Sequence, residues 1–232
     1  MIGLDRPGYG GSDPRPGRTI ADGAEDVAAV AEGLGIDRFA VVGWSSGGAY
    51  ALACAARLGE RVTAVVDVAG DAPIDEFPEV LAALPERVRL RVTRVRAGDR
   101  AALDDLRERI APMVSDPTLI FGDGDDTSDP DVRLNRRPAV RTALLAWFGE
   151  AFRQGDVGWV EDWVATFTPW GFSLSEIARP VHVWRGDADR MSQALDSELI
   201  AAAIPGATMT VVPGEGHSIA ETRWSEILET LR

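Results

Sequence analysis

The run Gly43-Trp44-Ser45-Ser46-Gly47 places a serine between two glycines with the spacing GxSxG. In this motif a strained turn from a strand into a helix exposes the serine hydroxyl, and the glycines relieve crowding around it. The apolar run Phe39–Val42 precedes the motif and the small-residue stretch Gly47–Ala56 follows it, as such a turn requires. We therefore predict that Ser45 is a nucleophile. The plainer alternative is a Gly-Ser turn that only caps a helix.

A serine hydroxyl needs a base to remove its proton, and the chain has two histidines. His182 lies inside the predicted strand Val181–Trp184, where a side chain more often packs or forms local hydrogen bonds. His217 lies in the loop Pro213–Ser218, which follows a strand and from which an imidazole can reach into a cleft. We predict His217 as the base, with an exposed loop histidine as the alternative.

A catalytic histidine needs a carboxylate that fixes its tautomer. Asp187 and Asp189 both follow the strand that carries His182, and Asp189 occupies the last position of GxxD in Gly186-Asp187-Ala188-Asp189. Asp71, which follows the preceding strand, is a rival. We predict Asp189 as the acid and leave Asp71 and Asp187 open.

These residues lie in segments that alternate between short β-branched runs and longer helical patterns, which predicts an α/β fold with a parallel sheet covered by helices. The predicted strands are Phe39–Val42, Val62–Ala69, Val181–Trp184 and Thr208–Val212, with Met1–Asp5 as the tail of a further strand. The predicted helices of this part are Ala21–Leu34, Ser46–Leu58, Ala194–Ile204 and Ile219–Leu231.

Residues 71–179 differ from this pattern, because they read as charged helices and loops with little strand signal. We predict a helical lid here, between core segments 1–70 and 180–232. Eight of the 16 aromatic residues of the chain lie between positions 147 and 172 of this segment: Trp147, Phe148, Phe152, Trp159, Trp163, Phe167, Trp170 and Phe172. Three of them, at positions 159, 163 and 167, recur every fourth residue and would share one helix face.

Composition excludes several classes of function. The net charge of −13 opposes binding to nucleic acid or to an anionic membrane. No run approaches the roughly 18 apolar residues that a membrane span needs, and no export signal is visible, so we expect a soluble, cytoplasmic protein. None of the 24 basic residues is lysine, which excludes Schiff-base chemistry. One cysteine, Cys54, and two histidines indicate neither a disulfide nor a metal site. We expect a small-molecule substrate and no cofactor, and we predict no oligomeric state.

Four ordered motifs together resemble those of the α/β-hydrolase superfamily over nearly the whole chain: residues 5–12 (DRPGYGGS), 43–48 (GWSSGG), 184–189 (WRGDAD) and 214–217 (GEGH). The resemblance implies Ser45 as nucleophile, Asp189 as acid, His217 as base and the Ser46 amide as one donor of the oxyanion hole. It also implies that the segment 71–179 is the lid that these enzymes insert after the sixth strand of their core. The aromatic cluster would line an apolar pocket or simply pack the lid.

The chain departs from the superfamily at its start. Members usually carry three further strands and a His-Gly loop before the first of these motifs, and that loop supplies the second oxyanion amide. The resemblance therefore implies an N-terminally truncated fold, in which Met1–Asp5 lacks sheet neighbours and Phe39–Val42 becomes an exposed edge strand. Because one lost oxyanion donor costs about 100- to 1,000-fold in rate, we expect weak or absent catalysis from such a chain.

The predicted function is hydrolysis of a carboxylic ester of a small or medium apolar acyl group through a Ser-His-Asp triad and an acyl-enzyme. Serine at position 45 argues against the dehalogenase and epoxide-hydrolase branches, which the resemblance associates with a carboxylate nucleophile. Carbon-carbon bond hydrolases and aminopeptidases share the triad and stay open. The alternative from another class is a catalytically incomplete fragment or a non-catalytic interaction protein.

Overall fold

The computed structural model describes residues 1–121 and 126–231. Contacts between Cα atoms divide the chain into two compact units. The first, which we call the sheet unit, consists of Thr19–Ala82 and Thr168–Arg232. The second, which we call the helical unit, consists of Met1–Arg18 and Ala83–Phe167.

The sheet unit contains four parallel strands in the spatial order β1-β2-β3-β4. They are β1 (Phe39–Trp44), β2 (Val62–Val68), β3 (Val181–Gly186) and β4 (Thr208–Val212). Each corresponds to a strand predicted from the sequence. Because the strands are parallel, their carboxyl ends lie along one edge of the sheet, where loop residues that follow them can meet.

The centre of the sheet is β2, which pairs with β1 on one side and β3 on the other. Every β2 residue except Thr63 is buried, as its nearly continuous apolar sequence VTAVVDV predicts for a strand covered on both faces. Val65 lies opposite Val41 of β1 and Val181 of β3. Among the described residues β1 pairs only with β2, so β1 is an edge strand, as predicted.

The described part of the sheet unit has six α-helices: α1 (Gly23–Gly33), α2 (Ser46–Leu58), α3 (Pro78–Ala83, whose last residue belongs to the helical unit), α9 (Ala194–Ala203), α10 (Ile219–Thr222) and α11 (Trp224–Glu229). The bounds of α2 coincide with the predicted helix. Its residues 48–55 are all buried, and their small side chains let α2 pack closely on β1 and β2. The predicted helix Ile219–Leu231 is instead two short helices that meet at Arg223.

The prediction of a strand at Met1–Asp5 is wrong. Residues 1–6 have no regular secondary structure. The side chains of Met1, Ile2 and Leu4 are exposed. A strand exists only where a neighbour accepts and donates its backbone hydrogen bonds, and the apolar character of these residues does not supply one.

The helical unit has no strand among its described residues. The sequence predicted little strand structure for residues 71–179, which include most of this unit. Its helices are α4 (Glu86–Arg96), α5 (Arg100–Ser115), α6 (Pro130–Asn135), α7 (Pro138–Ala151) and α8 (Val157–Thr166). Val92 of α4 and Leu106 and Ile110 of α5 are buried apolar residues. Residues 122–125 of the predicted lid lie outside the described residues.

The loop at residues 6–12 packs on α7 and α8 inside the helical unit. Gly10 donates its amide to the Ala151 carbonyl oxygen at 3.1 Å. Gly8 approaches the backbone of Gly158 so closely that a Cβ on either glycine would overlap the other. Arg6 forms an ion pair with Asp162 of α8. Within the predicted lid 71–179, the helical unit covers only Ala83–Phe167. It also includes Met1–Arg18, which the prediction placed in the core. The division into core and lid stays a prediction.

Candidate active site

Ser45 occupies the turn between β1 and α2. Its backbone lies at φ 54° and ψ −132°, a region that residues other than glycine rarely adopt. The amide of Ser45 donates to the Val68 carbonyl oxygen of β2 at 2.8 Å, so the turn is fastened to the central strand. Strained backbone of this kind persists only where the surrounding structure holds it, and it occurs most often at functional sites.

Glycines allow the backbone to fold back on itself at this turn. A Cβ on Gly43 would overlap the carbonyl oxygen of Gly47, in the first turn of α2. A Cβ on Gly48 would overlap a carboxylate oxygen of Asp67, on β2 below the helix. The first glycine of GxSxG is therefore required by the close approach of α2 to the end of β1.

His217 and Asp189 meet at the carboxyl edge of the sheet. Nδ1 of His217 lies 2.9 Å from Oδ2 of Asp189. Both side chains are buried, with 7% and 2% of their surface exposed. The histidine comes from the loop after β4 and the aspartate from the turn after β3, so two adjacent parallel strands bring them together. A carboxylate at this distance holds the proton on Nδ1 and leaves the basic lone pair of the neutral ring on Nε2.

The Asp189 carboxylate accepts further hydrogen bonds from the turn that follows it. Its Oδ1 accepts from the amides of Met191 at 2.7 Å and Ser192 at 3.1 Å, and its Oδ2 accepts from the Ser192 hydroxyl at 2.5 Å. Burial acts to raise the pKa of Asp189, but the bonds from His217, Ser192 and Met191 outweigh it and hold the pKa below its usual range. Asp189 is therefore an anion when its histidine partner is neutral.

The backbone around His217 is tied to the end of β1. The indole Nε1 of Trp44 donates to the His217 carbonyl oxygen at 2.7 Å. The two rings lie with their centroids 5.6 Å apart. Since Trp44 immediately precedes Ser45, these contacts connect the His217 loop to the turn that carries Ser45.

The rival candidates have different surroundings. Oδ1 of Asp187 accepts a hydrogen bond from the Gly214 amide at 2.7 Å. This bond joins Asp187 to the backbone of the loop that carries His217. Asp71 is half-buried, and this burial raises its pKa; His217 nearby lowers it and Asp189 nearby raises it. Nδ1 of His182 lies 2.7 Å from the Thr208 hydroxyl on the neighbouring strand, the local hydrogen bonding expected for a strand histidine.

Two buried carboxyl groups beside this site were not singled out from the sequence. Asp67 is fully buried on β2, and among the described residues neither of its carboxylate oxygens has a hydrogen-bond partner. Burial raises the pKa of Asp67 to about 8, with contributions from Asp71 and Asp196. Burial also raises the pKa of Asp196 to about 7, although its Oδ1 accepts from the Ala72 amide at 3.0 Å. For Asp67 the sequence did contain a signal of burial, because it is the one charged residue in the otherwise apolar run VVDV at residues 65–68.

The described part of the chain bears on the expectations for metal ligands and for Cys54. Residues 1–121 and 126–231 contain no group of three or more His, Cys, Asp or Glu side chains arranged to hold a metal ion. Cys54 is buried in α2, and burial raises its pKa to about 12, so the thiol is protonated and unreactive. No helix in this same part is long and apolar enough to cross a membrane.

Solved structures resemble the chain over nearly its full length. An N-acyl homoserine lactone degrading enzyme, Est816, is 23% identical with a TM-score of 0.63, over 97% of this chain and 78% of its own. The enol-lactonase from Burkholderia xenovorans LB400 is 21% identical with a TM-score of 0.60, over 97% of this chain and 76% of its own. At these identities the likeness shows a shared fold.

A curated protein also matches the chain. The dihydrolipoyllysine-residue acetyltransferase component of the acetoin cleaving system of Cupriavidus necator is 31% identical over 167 residues, which are 65% of this chain. The chain spans less than half of that relative, 44% of its length.

A protein-family model, described as the alpha/beta hydrolase family, matches residues 2–230. This match agrees with the parallel sheet and the strand-turn-helix setting of Ser45. The chain belongs to the alpha/beta hydrolase family.

Proposed function

We propose that this hydrolase uses Ser45 to cleave carboxylic esters of small or medium apolar acyl groups. The observation that carries the proposal is the 2.9 Å contact between His217 Nδ1 and Asp189 Oδ2. Trp44, which donates to the His217 carbonyl oxygen, immediately precedes Ser45 at φ 54°. We propose esters rather than other acyl substrates because the four sequence motifs of the chain resemble those of α/β-hydrolases. The choice of an apolar acyl group rests on the eight aromatic residues between positions 147 and 172.

In the proposed first half-reaction, Nε2 of His217 takes the proton of the Ser45 hydroxyl as Oγ bonds to the ester carbonyl carbon. Negative charge moves to the carbonyl oxygen, which accepts a hydrogen bond from the Ser46 amide. Ser46 is the first residue of α2, where the helix dipole favours an anion. The carbon-oxygen bond to the alcohol then breaks, and His217 gives its proton to the leaving alkoxide.

The second half-reaction repeats these steps with water. His217 removes a proton from water, whose oxygen bonds to the acyl carbon. The bond to Ser45 breaks, the carboxylic acid leaves, and the proton returns to Ser45. Asp189 stays ionised and stabilises the imidazolium in both halves. Lactones are cyclic carboxylic esters, and of the two structural neighbours described above one is named a lactone degrading enzyme and the other an enol-lactonase. Lactones therefore belong among the substrates to test.

The testing experiment is labelling of the purified chain with a fluorophosphonate, followed by peptide mass spectrometry. Stoichiometric label on Ser45 is expected, and His217→Ala should remove it. His182→Ala is the matched control, because it deletes the other histidine and should leave labelling unchanged. Hydrolysis of short-chain and medium-chain aryl esters should be lost in Ser45→Ala. An unlabelled Ser45 in the folded wild-type chain would contradict the proposal and favour a non-catalytic role.

A further inference from the structure

Glu215 links the loop that carries His217 to the helices that follow it. We call residues 213–218 the base loop. Oε1 of Glu215 accepts from Nε of Arg223 at 2.9 Å, and Oε2 accepts from the Thr222 hydroxyl at 2.8 Å. Only 17% of the Glu215 side chain is exposed. Both carboxylate oxygens are thus engaged by neighbouring residues of the chain.

The partners of Glu215 belong to a firmly packed part of the molecule. Thr222 ends α10 and Arg223 joins it to α11. Ile219 of α10 and Ile227 of α11 are fully buried in the core cluster. That cluster also contains Val66 and Val68 of β2 and Trp184 of β3. The Glu215 carboxylate therefore connects the base loop to the sheet through two helices whose apolar sides cannot move without opening the core.

The backbone of Glu215 is tied on the other side to the turn that carries the acid. Its carbonyl oxygen accepts from the Ala188 amide at 3.0 Å. A Cβ on Gly186 would overlap this carbonyl, so the base loop lies directly on the end of β3. Glu215 precedes His217 by two residues, a span of at most about 7 Å even when extended. Glu215 is therefore close along the chain to the imidazole and bonded to the turn that carries Asp189, so a displacement of its backbone would disturb the contact between the two.

We infer that Glu215 is a positioning residue, which holds His217 Nδ1 against Asp189 by fastening the base loop to Thr222 and Arg223. This inference rests on the proposed function for its catalytic consequence, but the geometry it asserts can be measured without a substrate. The carboxylate acts through the loop and touches no reacting atom.

The structural experiment is NMR of the protein labelled with nitrogen-15 in histidine, which contains only two imidazole rings. In the wild type, the His217 ring should show a slowly exchanging Nδ1 proton from its bond to Asp189. In Glu215→Ala this signal should broaden or disappear. The His182 ring, bonded to Thr208 on the sheet, is an internal reference and should not change.

Two further variants separate positioning from general destabilisation. Glu226 is the second carboxylate bonded to Arg223: its Oε1 accepts from Nη1 at 2.9 Å. Glu226→Ala removes this bond and changes no residue of the base loop. It should leave the His217 signal intact. Glu215→Gln keeps an oxygen that accepts one of the two hydrogen bonds and should restore part of the signal if Glu215→Ala folds poorly. An unchanged His217 spectrum in Glu215→Ala would overturn the inference.

The kinetic experiment uses the best ester from the screen. Glu215→Ala should lower kcat by about 10- to 100-fold with KM within about twofold, because a misplaced base affects the proton transfer more than substrate binding. Glu226→Ala should match the wild type, and Glu215→Gln should lie between. If the wild type shows no Ser45-dependent hydrolysis, the proposed function fails, and the NMR comparison still decides the role of Glu215. Equal kcat values in wild type and Glu215→Ala would count against positioning.

Discussion

Asp189 and Asp71 are two carboxyl groups near one histidine, and their surroundings separate them. Asp189 bonds His217 directly and is kept ionised by the amides and hydroxyl of its own turn. Burial raises the pKa of Asp71, although His217 lowers it. When two nearby titratable groups have pKa values pushed in opposite directions, the group with the lowered pKa is the one suited to stabilise a cation. Asp189 is therefore our candidate for the partner of the imidazolium.

Asp189→Asn should lower kcat for ester hydrolysis by about 10,000-fold, because an amide no longer stabilises the imidazolium or fixes its tautomer. Asp71→Asn should lower kcat by less than about tenfold, and the double variant should match Asp189→Asn. Steady-state kinetics on the same ester measure all three. A larger loss from Asp71→Asn than from Asp189→Asn would assign the acid to the end of β2 instead.

The loop at residues 6–18 and helix α8 are joined by a buried charge cluster inside the helical unit. Asp162 of α8 forms ion pairs with both Arg6 and Arg18. The side chain of Arg18 is fully buried and that of Asp162 is 5% exposed. Removing one member of such a cluster leaves a buried charge without its counter-ion, which destabilises a protein far more than loss of a surface pair.

Asp162→Ala should lower the free energy of unfolding by about 3–5 kcal/mol. The matched control is Glu150→Ala in the same unit, which removes an exposed ion pair with Arg153 and should cost under about 1 kcal/mol. Urea unfolding followed by circular dichroism compares the two. Equal losses would show that the buried cluster contributes no more than a surface pair.

The stability of the whole molecule should depend on the protonation of Asp67. In the folded chain burial raises the pKa of Asp67 to about 8, whereas an unfolded chain restores the ordinary value of 3.8. Between these values the folded state holds a proton that the unfolded state has lost, so the free energy of unfolding falls as pH rises from about 4 to about 8. Below pH 4 both states are protonated and Asp67 contributes no pH dependence.

Asp67→Asn should therefore raise the free energy of unfolding at pH 7 by about 2–4 kcal/mol and flatten its pH dependence, since each pKa unit corresponds to about 1.4 kcal/mol. Urea unfolding at a series of pH values between 4 and 9 measures the effect. Asp37→Asn, at an exposed position, is the control and should follow the wild-type curve. A wild-type curve that rises through this range, with the same slope in Asp67→Asn, would mean that Asp67 is ionised in the fold.

Local sequence patterns predicted the sheet unit well because its strands and helices alternate and end at glycines, prolines or charged residues. Thus α2 begins and ends where predicted, and His217 and Asp189 meet as the order of motifs implies. The prediction of a strand at Met1–Asp5 was wrong because strand pairing depends on residues far away in the sequence. The break at Arg223 also escaped prediction, since the apolar pattern continues across it. The burial of Asp67 depends on how α2 covers β2, which composition does not reveal.

The contact between the Trp44 and His217 rings gives the site an optical property. A protonated imidazole quenches the emission of an adjacent indole, and these ring centroids are 5.6 Å apart. Trp44 is one of seven tryptophans, so the difference in fluorescence between the wild type and Trp44→Phe isolates its emission. We therefore expect Trp44 emission to serve as a spectroscopic indicator of the surroundings of the proposed catalytic base, with no dye and no substrate added.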